Sequence, residues 1–171
     1  MHFACHGHAD TDRPSASYLL LHDYEEQPLT AFDIASQSVR GVLAFLSACS
    51  TTRTRGDLAD EAIHLTSSFQ LAGYPHVVGT LWPVQDAQAV EIARHFYRMV
   101  TAGSDADPSR IAAALHGATR HLRADHPDAP WLWAPYLHAG LEPHAGSAGG
   151  PWQVIGCRWA WLARASRLAI R

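Results

Sequence analysis

The chain has 171 residues, 47% hydrophobic and 17% charged, a balance that supports one folded domain with a sizeable core rather than a disordered chain. Its formal net charge of −3 gives no ground for general nucleic-acid binding, and no apolar stretch reaches the length of a membrane-spanning helix. Its 3 cysteines, Cys5, Cys49 and Cys157, show no framework spacing and read as free thiols in a reducing cytoplasm.

The first apolar run, His2-Phe3-Ala4-Cys5, is a short buried strand that delivers His6 and Gly7 at its end. A polar loop from Asp10 to Ser17 leads into a strand at Tyr18-Leu21. Thr30 is placed as the N-cap of a helix through Ala35, with Asp33 at the third helical position. The run Val42–Leu46 is a second buried strand, followed by Ser47-Ala48-Cys49-Ser50-Thr51. Leu58 to Ala72 has helical apolar spacing, and Gly73 is its natural stop.

Val77 to Trp82 reads as the third strand. Asp86 is placed as the cap of a helix whose apolar face is Val90, Ala93, Phe96, Tyr97 and Val100. Asp107-Pro108 opens another helix, with Ile111, Ala114, Leu115, Ala118 and Leu122 inward. An aromatic segment runs from Trp131 to Leu141. Strands alternating with helices predict crossover units and a parallel-rich α/β sheet.

In such sheets chemistry gathers beyond the carboxyl ends of the strands, where a histidine and a cysteine on neighbouring strands can meet as base and nucleophile. His6 and Cys49 hold these places, and their separation of 43 residues (49 − 6) is close to the roughly 50 of the caspases. Small polar flanks leave the Cys49 thiol accessible, and Gly7 allows a substrate to approach the backbone, so that its N–H can serve an oxyanion. Cys5, inside the strand, reads as a buried structural thiol, and His2 and His8 are set aside as the flanking histidines. Alternation along a strand keeps Cys5 from sharing a metal with His6 and His8, and no CxxC or HExxH spacing occurs, so the sequence assigns neither a metal site nor a cofactor.

The blocks HFACHG, LSACST, LAGYPHVVGTLWPVQD and WLWAPYLHAG, in that order, make the chain resemble the CHAT domain from Met1 to about Gly140. That family belongs to the caspase-like cysteine peptidases and is often joined to tetratricopeptide repeats. The resemblance implies a caspase-like three-layer α/β fold, with a parallel-rich central sheet and helices on both faces. It implies a cysteine endopeptidase acting on protein substrates, with His6 as base, Cys49 as nucleophile, and the N–H groups of Gly7 and Cys49 at the oxyanion. Caspase-like enzymes bind the substrate backbone along the strand that here ends in Trp82. Asp86 is the candidate to select a basic residue, with helix capping as its competing role. Arg53 and Arg55, in the polar loop after the nucleophile, are candidate self-cleavage points.

Relatives carry further strand and helix before the first motif, so the first strand is expected to be truncated, leaving any sensor or repeat region to an upstream part or a separate chain. The domain is assigned to 1–141. A Gly/Ser/Pro-rich linker follows at 142–151, then a basic aromatic tail at 152–171 suited to a partner or a membrane surface but too short to span a bilayer. The rival reading is a non-catalytic interaction module that kept the fold. A thiol redox role lacks the CxxC it would need.

Overall fold

The computed structural model describes residues 1–8, 10, 12–47, 49–50, 58–102 and 106–140. Along the chain lie β1 (His2–Phe3), β2 (His6–His8), β3 (Tyr18–Leu20), β4 (Leu29–Thr30), α1 (Ala31–Ala35), β5 (Leu43–Leu46) and β6 (Cys49–Ser50). They are followed by α2 (Leu58–Leu71), β7 (His76–Thr80), α3 (Asp86–Val100), α4 (Ile111–Asp125), α5 (Pro130–Trp133) and β8 (Tyr136–Gly140). One sheet has the order β1-β5-β7-β8, parallel in its first three strands and closed by the antiparallel β8. The other has the order β4-β3-β2-β6, with an antiparallel β4-β3-β2 meander and a parallel β2–β6 pair.

The sheets are linked by one interrupted strand pair. His2 pairs with Phe45 and Phe3 with Leu46; His6 then pairs with Cys49 and Gly7 with Ser50. The partners are 43 positions apart in both sheets (45 − 2 and 49 − 6), so the register carries through the break. Backbone bonds from Phe45 N–H to Met1 O and from Ser47 N–H to Phe3 O, both 2.9 Å, lock it.

Helices cover both faces of the larger sheet. Alternation along β5 sends Ala44 and Leu46 to a cluster with Ile34 of α1 and Phe69 of α2, and sends Phe45 to the opposite cluster with Ile92, Phe96, Leu115 and Leu122 of α3 and α4. Val77 and Val78 divide in the same way. Both valines and Phe45 are fully buried, as strands covered on two faces require. The molecule is therefore a three-layer α/β structure.

The local signals behave as their chemistry predicts. Thr30 and Asp33 form a reciprocal capping box at the start of α1. Gly73 ends α2 at φ +108, with Gly73 N–H bonded to Gln70 O and Tyr74 N–H to Phe69 O, the paired bonds of a Schellman turn. Asp107 caps the turn before α4 through Ser109 N–H.

Four details differ from the sequence reading. The single strand expected over His2–Cys5 is two, β1 and β2, with Cys5 in the bend between them and His6 and Gly7 inside β2 rather than beyond a strand end. The strand expected to reach Trp82 ends at Thr80, because the chain bends before Pro83. On α3 the inward stripe is Ile92, Phe96 and Val100, at intervals of four, while Val90 is 67% exposed. The N-cap of α3 is Gln85, and Asp86 is the first helical residue. The assigned linker at 142–151, the tail at 152–171, and Arg53 and Arg55 lie outside the described residues.

Candidate active site at the carboxyl edge of the sheet

The β1–β2 segment turns its two faces to different layers. Phe3 meets Phe69 of α2 at a ring separation of 5.1 Å, and Cys5 packs against the same cluster. A Cβ built on Gly7 would lie 3.8 Å from Leu65 Cδ1, again on α2. His2 instead packs between Phe45 and Tyr97, at 4.8 and 5.6 Å. His6 alternates with Cys5 and Gly7, so it faces away from α2, and it is exposed.

The structure brings two of the sequence candidates together directly. His6 and Cys49 are register partners on adjacent parallel strands; neighbouring strands stand ~4.8 Å apart. Trp82 lies two residues past the end of β7, the neighbour of β5 in the sheet, in the bend that precedes Pro83. The Trp82 indole is fixed in the loop after β7 by an Nε1–H bond of 3.0 Å to Trp131 O. Asp86 is exposed at the start of α3, where a carboxylate interacts favourably with the helix dipole.

Gly7 is buried and lies within a strand paired on both sides, with Leu19 of β3 and Ser50 of β6. A methyl at Gly7 would meet Tyr18 O at 3.7 Å and Leu65 at 3.8 Å, ordinary contacts, so packing alone does not demand glycine.

The set-aside residues have structural partners. His2 uses both ring nitrogens, with Ser47 Oγ at 2.9 Å and Tyr97 OH at 3.2 Å. Desolvation, then the nearby N-terminal charge, lowers its pKa. His8 packs against the Tyr18 ring at 4.8 Å. Burial pushes the Cys5 thiol up to about 11, the reverse of what a nucleophile needs.

A three-layer α/β domain with a histidine and a cysteine paired at the edge of parallel strands has the architecture of the caspase-like class. The family model for the CHAT domain matches residues 1–141, and the chain belongs to that family, which is related to the caspase-like peptidases. A comparison with curated proteins gives no match. Among the described residues no helix is long and apolar enough to cross a membrane.

One group of chemistry-bearing side chains has no counterpart in the sequence reading. Glu91 and His95 of α3 and His121 of α4 bring their ligand atoms within 4.8 Å of one another. The signal was present as two i,i+4 pairs, Glu91 with His95 and His121 with Asp125, each on one face of a helix. Only the packing of α3 on α4 joins them.

Proposed function

We propose that the chain is a cysteine endopeptidase that cleaves protein substrates through a His6/Cys49 dyad. The observation that carries this reading is the in-register pairing of His6 with Cys49 on adjacent parallel strands. His6 takes the thiol proton, and the Cys49 sulfur attacks the peptide carbonyl to give a tetrahedral oxyanion. The N–H groups of Gly7 and Cys49 are the oxyanion donors of this reading; losing one such donor costs about 3–4 kcal/mol of transition-state stabilisation. His6 returns the proton to the leaving amine, and water releases the acyl group.

Trp82, in the loop after β7, lies along the path of the substrate backbone. Asp86 selects an arginine or lysine side chain, a role supported by its exposure and by the N-cap falling on Gln85. With that preference, Arg53 and Arg55 are the self-cleavage points. The location is the cytoplasm, where free thiols persist, and a sensor region or partner restrains the activity.

Proteolysis of a randomised peptide library by wild type, His6→Ala and Cys49→Ala tests the reading. Cleavage should fall at least ~1,000-fold in both variants, and Asp86→Asn should weaken a basic preference. Cleavage surviving in Cys49→Ala overturns the dyad. No cleavage by folded wild type, alone or in an upstream-extended chain, replaces the peptidase with an interaction module.

A further inference from the structure

Helices α3 and α4 pack through Ile92, Phe96, Ala114, Leu115, Ala118 and Leu122, all buried. They run antiparallel: Glu91 approaches His121 near one end, and the site of a Cβ on Gly117 meets Met99 further along. Above this core, Glu91, His95 and His121 face one another, with Asp125 beside His121. His121 Nε2 lies 3.7 Å from Glu91 Oε1 and 3.7 Å from Asp125 Oδ2. The rings of His95 and His121 are 3.8 Å apart between centroids.

We infer that Glu91, His95 and His121, with Asp125 beside them, form a divalent transition-metal site that clamps α3 to α4, and that zinc is the ion its chemistry fits best. Two imidazoles and one or two carboxylates are a ligand set that zinc accepts in tetrahedral geometry. At zinc bond lengths of about 2.0–2.2 Å, tetrahedral ligand atoms stand ~3.4 Å apart. The two His121 contacts of 3.7 Å are near that value, and the His95 ring, 3.8 Å from that of His121 between centroids, has to rotate away from it to bring a nitrogen onto the same ion. The ligands rise from two helices fixed by a close-packed core, which keeps them positioned before any ion arrives.

The competing account is an ion-pair cluster around a protonated His121. That account gives His95 no part, although its ring stands 3.8 Å from that of His121 and its ligand atom lies within 4.8 Å of those of Glu91 and His121. The site is independent of the peptidase reading, and its test needs no activity assay.

Equilibrium dialysis of the full chain against Zn²⁺, with Co²⁺ absorption as the spectroscopic probe, decides it. Wild type should hold an equivalent of Zn²⁺ that is weakened at least ~tenfold in His95→Ala and in His121→Ala, and left in place in His6→Ala and Cys49→Ala. The Co²⁺ spectrum should lack thiolate charge-transfer bands, and Zn²⁺ should raise the Tm of wild type but not of the His95→Ala/His121→Ala double variant. Glu91→Gln, which keeps the side-chain shape, should also weaken binding and covers a folding failure of the histidine variants. Binding unchanged in His95→Ala, His121→Ala and Glu91→Gln overturns the inference. So does no binding by wild type, or a thiolate spectrum that disappears with Cys49→Ala.

Discussion

Cys5 lies in the bend between β1 and β2, immediately before His6. Cys5 packs against the α1/α2 side of the sheet, and its thiol, at about 11, is almost wholly protonated at neutral pH. Because the thiolate is the reactive form, its alkylation by iodoacetamide should rise about tenfold per pH unit from about pH 8 to pH 10, read by peptide mapping. The same raised pKa has a stability consequence. The contribution of burying Cys5 is fully present below its ordinary value of 9.0 and is lost as pH rises through about 11. Thermal melts should therefore fall over that window, and less so in Cys5→Ala. Gly7→Ala probes the face of β2 opposite His6, where its methyl finds ordinary contacts with Leu65 and Tyr18. The variant should melt close to wild type, and on the peptidase reading it should keep its activity because the added methyl points to α2 and away from His6.

Element ends carry the strongest local instructions. Gly73 stops α2 at φ +108, and a Cβ there would come 2.7 Å from Val39 O. Gly73→Ala should cost about 1–3 kcal/mol and lower Tm by roughly 2–4 °C for each kcal/mol, measured by calorimetry. Thr30→Ala removes half of the capping box that starts α1 and should cost about 1 kcal/mol by the same measurement. Helix phase was less legible than helix ends. Val90 and Ile92 are both apolar, and nothing local says which faces inward; the sheet chooses Ile92 because it continues the Phe96 and Val100 stripe.

At the scale of the whole molecule, the central strands are held from two sides. Phe45 is fully buried and meets Phe96 at 4.9 Å, Tyr97 at 5.7 Å and His2 at 4.8 Å. It thereby fixes the strand that leads to Cys49 against α3. Phe45→Ala should destabilise the domain by about 3–5 kcal/mol in denaturant unfolding. Because it loosens β5 against β1, activity on the proposed reading should fall even where the variant stays folded.

The sequence by itself determined the main helices and the central strands β5 and β7, their order and the chemistry they carry, because these depend on neighbours along the chain. An apolar run ended by small residues marked β5, the run from Val77 marked β7, a Thr–Asp box marked α1, and a glycine marked the end of α2. The family was also legible in four ordered blocks, and the match over residues 1–141 agrees with them. Only the tertiary structure decided which distant residues become neighbours. The constant register from His2–Phe45 to His6–Cys49 is a property of two strands pairing, which no single segment encodes. The meeting of Glu91 and His95 with His121 likewise exists only once α3 and α4 bury their shared core, since the hydrophobic effect selects the faces and the polar groups above them follow.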